Sequence, residues 1–258
     1  MTPVIYMPNN PTYFALLEAC AQPGCPVCRL EQQAVERYLD HLFYENVNDS
    51  GVRAHLRASL GFCREHAGLL LDARLGDALG MSIIYHDVLG TVLKRLSAFG
   101  TNQSEPTFFS LLLQRVPPKF TASLEQVRQA VSPHQICLAC QQRDSTARMV
   151  LSVLADSIQE KEMLTAFTHS DGLCLPHLRQ ACEHVRDGSA LAELLKVEVQ
   201  KLENLHAELA EFIRKNDYRF IKDRFGPEGN AWRRVVGLTA GGQIAKGERT
   251  QNEPTTDE

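Results

Sequence analysis

Six cysteines and two histidines fall into one spacing that occurs twice. Cys25-Pro26-Val27-Cys28 is followed by Cys63-Arg64-Glu65-His66, and Cys137-Leu138-Ala139-Cys140 is followed by Cys174-Leu175-Pro176-His177. The CxxC pairs lie 112 residues apart and the CxxH pairs 111, so each half reads C-x2-C-x(33–34)-C-x2-H. A glycine, Gly61 or Gly172, stands two residues ahead of each CxxH pair. Three thiolates and one imidazole make a closed tetrahedral shell suited to structural Zn2+, with no coordination position left for substrate or activated water. The spacing therefore predicts two zinc ions per chain, one per half. Cys25, Cys28, Cys63 and His66 would hold one, and Cys137, Cys140, Cys174 and His177 the other. An iron–sulfur cluster, which also favours thiolates, ranks behind zinc. The same cysteines would equally serve a thiol-based redox or metal sensor that releases metal on oxidation. A thioredoxin-type use of CxxC would need a βαβ pattern, which the chain lacks. His134 is a rival ligand beside Cys137 with no counterpart in the first half, and Cys20 and Cys182 read as buried structural thiols.

The elements that must position these residues are helical almost throughout. Asn10-Pro11 predicts a capped short helix with Phe14, Leu17 and Cys20 on one face. Helical periods follow over about 27–46 (Ala34, Tyr38, Leu39, Leu42, Phe43), around Val52 and Leu56, and from Phe62. A long helix is capped at Asp77, with Ile84, Val88, Val92 and Leu96 inward, and stops at Gly100. Further periods recur over about 124–131, 140–160, 162–168, 174–185 and 189–214, the last carrying Leu191, Leu195, Leu202, Leu205, Leu209 and Phe212. The ligands fall at helix starts, where the positive end of the peptide dipole favours thiolate over thiol. A helix of about 20 residues running out roughly 30 Å and a shorter return fit the span between the ligand pairs, so each metal would staple the base of a helical hairpin. Expected boundaries are 1–100 for a first repeat, 101–123 for a connector with Phe108, Phe109 and Leu111 to Leu113, 124–214 for a second repeat, 215–242 for a docking segment and 243–258 for a disordered tail.

Charge separates the C-terminal segment from the rest. Among 258 residues the net charge is −4, yet residues 213–249 carry nine cations against four carboxylates, together with the sole tryptophan, Trp232. The expectation is that this segment docks on the acidic helical body with Trp232, Tyr218 and Phe220 as anchors. A nucleic-acid contact is the sharper alternative. No complete phosphate-loop or dinucleotide motif is present, and no nucleophile–base pair stands out, which points away from an enzyme. Eight cysteines without an export signal predict a reducing, cytoplasmic setting. No apolar run of about 18 residues predicts a membrane span.

The segments Gly24-Cys25-Pro26-Val27-Cys28-Arg29-Leu30, Tyr44-Glu45-Asn46-Val47-Asn48-Asp49 and Gly61-Phe62-Cys63 resemble an uncharacterised bacterial family catalogued as domain of unknown function 6062. So do Lys215-Asn216-Asp217-Tyr218-Arg219-Phe220, Gly226-Pro227-Glu228-Gly229 and Trp232-Arg233-Arg234. The resemblance runs from about Tyr13 to Gly242. It implies a shared architecture and a bacterial origin and brings no established activity. Together these observations predict an all-α protein of two pseudo-repeats, each a metal-stapled helical bundle, with the C-terminal segment packed back on them. Its function would be that of a zinc-binding scaffold or interaction module for a protein partner.

Overall fold

Capping chemistry sets most helix starts. In the computed structural model, which describes residues 10–71, 75–99, 123–185, 187–220 and 222–242, Asn10 accepts from the Thr12 N–H to open α1 (Pro11–Cys20). Helix α2 (Pro26–Glu45) begins inside the first CxxC pair. Asp49 caps α3 (Ser50–Ser59) through the Val52 N–H, and α4 (Arg64–Leu71) begins inside the first CxxH pair. Asp77 caps α5 (Ala78–Ser97), and a Ser123–Gln126 capping box opens α6 (Leu124–Ala130). Helices α7 (Leu138–Ser157), α8 (Lys161–His169) and α9 (Leu175–His184) follow, then α10 (Gly188–Lys215), capped by Asp187. Two short 3-10 turns, Tyr218–Phe220 and Pro227–Asn230, lead into α11 (Ala231–Ala240). No strand occurs among the described residues, so the all-α expectation holds. The expected connector lies outside the described residues except for Ser123, as do Gly100 and the whole expected tail.

The chain forms two compact units, Met1–Gln33 with Asp144–Glu258, and Ala34–Arg143. Their boundaries fall inside α2 and α7 rather than at the connector expected from the repeat. The first unit buries Leu16, Val27, Leu151, Leu154, Ile158, Met163, Phe167 and Leu194 in one core, where α1 packs on α8 and α11 packs on α9 and α10. The second buries Leu39, Leu42, Leu56, Phe62, Leu70, Ile84 and Val88, where α3 and α6 pack on α5. Arg53 and Arg57 of α3 both pair with Asp87 of α5, at 3.1 and 2.5 Å.

Two apolar faces differ from expectation. Helix α1 buries Tyr13, Leu16 and Ala19 beside Cys20, and leaves Phe14 half-exposed with its ring edge-on to Tyr13. Helix α10 buries the expected Leu205, but toward its start it buries Ala190, Leu194 and Glu198, one residue off the expected Leu191 and Leu195, with Leu195 exposed. Leucines dense enough to populate adjacent stripes leave the period intact and its phase open.

Candidate metal centres

Four helix starts carry the eight expected ligands. Each CxxC or CxxH pair places its first residue just ahead of a helix and its second in the first turn, so both side chains share one end of the helix. Two glycines make the approach possible. Gly61 (φ +89) and Gly172 (φ +81) occupy left-handed backbone just before Cys63 and Cys174. A Cβ on Gly172 would also stand 2.7 Å from Lys201 Cδ, and one on Gly61 would stand 3.0 Å from the Tyr85 ring.

In the first unit the starts of α2 and α9 converge, and Cys25, Cys28, Cys174 and His177 form a fully buried cluster. His177 Nδ1 lies 3.5, 3.4 and 3.1 Å from the sulfurs of Cys25, Cys28 and Cys174, and the Cys28 and Cys174 sulfurs are 3.6 Å apart. In the second unit the starts of α4 and α7 converge on Cys63, His66, Cys137 and Cys140. There His66 Nδ1 lies 3.2, 3.7 and 3.4 Å from the sulfurs of Cys63, Cys137 and Cys140, with Cys63 and Cys140 sulfurs 3.6 Å apart.

This pairing corrects the sequence reading. All eight residues gather as two Cys3His sets, but each set joins the CxxC of one half to the CxxH of the other. No set staples a hairpin within one half. The donor chemistry of the two arrangements is identical, so the ligand pattern alone could not choose between them; the cores that bring α2 to α9 and α4 to α7 do. His134 stands outside both sets, its backbone N–H donated to the Ala58 carbonyl at 2.8 Å. Cys20 is buried as expected, whereas Cys182 is exposed.

Both sets have the dimensions of a tetrahedral ligand shell. Zinc–sulfur and zinc–nitrogen bonds of about 2.3 and 2.0 Å imply S···S edges of about 3.8 Å and S···N edges of about 3.5 Å, close to the separations above. The two clusters are thus compatible with metal binding. Their electrostatics agree. Within the chain alone, burial pushes the Cys25 thiol well up, while hydrogen bonds from Cys174 and Cys25 hold Cys28 far below the usual thiol range. Burial opposes charge on His177, yet Cys174, Cys28 and Glu31 push its pKa up to about 12. Burial and the neighbouring Cys63 push Cys140 up to about 12. Three thiolates cannot share so small a volume without compensating charge, which a dication would supply.

Several partners of the clusters were not named by the sequence. Glu31 Oε1 sits 3.2 Å from His177 Nε2, the carboxylate–histidine arrangement that fixes which ring nitrogen faces a metal. The Gly242 N–H donates to Cys28 Sγ at 3.2 Å from the left-handed turn (Gly241 φ +77, Gly242 φ +94) that ends α11. Three residues after Cys140, at the register Glu31 holds after Cys28, stands Arg143, paired with Glu65 at 3.0 Å. Glu198, only 1% exposed, accepts the Leu173 N–H at 2.7 Å and holds the residue before Cys174. A cavity of about 620 Å³ adjoins Cys25 and Cys174. On its wall Asp171 accepts from the Gly24 N–H at 2.6 Å, and Lys201 donates to the carbonyls of Thr168 and Ser170.

The C-terminal segment packs back as expected, with different anchors. Trp232 is 47% exposed with Arg233 over its ring, and Tyr218 is exposed. The buried residues are Ala231 and Glu228. Glu228 accepts from the Gly226 N–H and from Lys215 at 2.6 Å, and these hold its carboxyl down to about 2. Arg214 pairs with Glu211 and Asp223, and Arg234 with Glu208. No helix among the described residues is long and apolar enough to cross a membrane.

Similarity to known proteins gives the chain a family and no activity. It is 29% identical over 233 residues to the "Uncharacterized 23.9 kDa protein in xynA 3'region" of Caldicellulosiruptor sp. (strain Rt8B.4), covering 88% of this chain and 100% of that protein. No solved structure matches. Residues 14–246 match the model described as "Family of unknown function (DUF6062)", and the chain, with its two Cys3His clusters, belongs to that family.

Proposed function

We propose that this protein is a zinc-binding helical scaffold for a protein partner, with one structural Zn2+ in each Cys3His cluster. The observation that supports this is the match of both clusters to a tetrahedral shell of three sulfurs and one nitrogen, drawn from four helix starts. Zinc fits the donors because it takes thiolate and imidazole without geometric preference of its own, and four protein ligands leave no open position for catalysis. Helix dipoles favour thiolate at the first cluster, and the Glu31 carboxylate on Nε2 fixes the His177 ring with Nδ1 toward the sulfurs. The cations Arg214, Lys215, Arg219 and Arg234 are engaged by carboxylates of the same chain. That supports internal docking of the basic segment over a nucleic-acid contact.

Elemental analysis of protein purified without added metal tests the proposal. About two equivalents of zinc in a colourless protein are expected, and their removal by chelator should lower stability by several kcal/mol. Iron with labile sulfide, or a metal-free protein of unchanged stability, would reject it.

A further inference from the structure

The geometry points to an inequality between the two metal sites: the Cys63/His66/Cys137/Cys140 site is a hydroperoxide-sensitive, metal-releasing site, and the Cys25/Cys28/Cys174/His177 site is permanent. The inference rests on the metal reading above and goes beyond it by assigning a modification chemistry to one cluster.

Two contrasts carry it. The first is access. All four ligands of the first site are buried, whereas Cys63 and Cys140 of the second are part-exposed. The second is cover. The Gly241-Gly242 turn lies against the first site, with the Gly242 N–H on Cys28 Sγ and Gly241 so placed that a Cβ there would stand 3.6 Å from Cys174 Sγ. A sulfur that accepts such a bond is a poorer nucleophile.

The accessible sulfurs of the second site are also the pair that stands 3.6 Å apart. A hydroperoxide reaching either thiolate is reduced by its electron pair. The O–O bond breaks, one oxygen stays on sulfur as sulfenic acid, and with hydrogen peroxide the other leaves as hydroxide. The second thiolate then attacks that sulfur, forming the S–S bond and expelling a second hydroxide. Two thiolates and one H2O2 give one disulfide and two hydroxides. The metal keeps only His66 and Cys137 and departs.

The test uses the full chain as purified, with its zinc counted first. Hydrogen peroxide is added in stoichiometric steps, released zinc is read with a chromogenic chelator, and cysteines are mapped by mass spectrometry. The expected result is release of one zinc equivalent together with a Cys63–Cys140 disulfide, while Cys25, Cys28 and Cys174 stay reduced and the second equivalent leaves at least about tenfold more slowly. Equal release of both equivalents, or earlier oxidation at Cys25, Cys28 or Cys174, overturns the inference and leaves the metal reading intact. Protein that carries no metal at the outset overturns both.

Discussion

At the residue scale, Glu198 shows how a charge comes to lie on a buried helix face. Its carboxylate has the Leu173 N–H as a fixed donor, and burial raises its pKa from 4.5 to about 7 despite that bond and nearby Lys201. Between these values the folded chain binds more protons than the unfolded one. Stability therefore falls as pH rises from about 4.5 to about 7 and is level above, by on the order of 3 kcal/mol as an upper bound. Glu198→Gln keeps an acceptor for the Leu173 N–H and cannot ionise. With zinc in excess, urea midpoints should show variant and parent alike near pH 5 and the variant more stable at pH 8. The same difference at both pH values would mean that Glu198 is ionised throughout in the native protein. Neither Glu198 nor Glu31 could be singled out from the sequence, because each sits among other helix-surface glutamates and only packing brings it to Leu173 or His177.

At the element scale, the helix starts were the legible part. Asn10 and Asp77 cap the helices their sequence context predicts, and the ligand pairs open α2, α4, α7 and α9 because i, i+3 donors come together on a helical first turn. Helix α11 was not legible. Its run Trp232-Arg233-Arg234-Val235-Val236-Gly237 has β-branched residues and a glycine that weaken helix propensity, and Pro227 and Gly229 precede it. Its packing also reverses the expected anchors, since the small Ala231 is fully buried and the large Trp232 is half-exposed. Trp232 emission should thus lie near that of free indole and be readily quenched by acrylamide. Ala231→Leu should overpack the contact with α9 and α10 and cost about 1–3 kcal/mol, whereas Trp232→Ala should cost under about 1 kcal/mol. Thermal unfolding of the two variants checks the order. Blue-shifted, protected emission would instead place the indole in a covered site.

At the scale of the whole molecule, the crossed pairing decides which parts of the chain depend on each ligand. Cys137→Ser removes a donor from the set that includes Cys63 and His66, not from the one that includes Cys174 and His177. Peptide-resolved hydrogen exchange should show faster exchange, on the order of tenfold or more, over α4 and the first turns of α7. Protection over α9 should be unchanged. Loss of protection at 174–177 in place of 63–70 would restore the pairing within each half. The eight donors and their helices could be read from the sequence. Their partition could not, since two equivalent spacings admit both solutions and only the long-range packing of Val27, Leu151 and Leu194 in one core and Leu39, Leu56 and Ile84 in the other selects one.

That partition is nested along the chain: the ligands at 63–140 lie wholly inside the span from 25 to 177. A ribosome therefore delivers the complete inner set first. At about 5–20 residues per second, Cys25 and Cys28 wait roughly 7–30 s before Cys174 is made. During that interval they form an open thiol pair on a growing chain, while the inner set is already able to close. The outer set, whose last donors are Cys174 and His177, closes last and ties the start of α2 to the start of α9. The direction of synthesis thus gives the two clusters an order of assembly, with the inner one as the first fixed point and the outer one as the clasp.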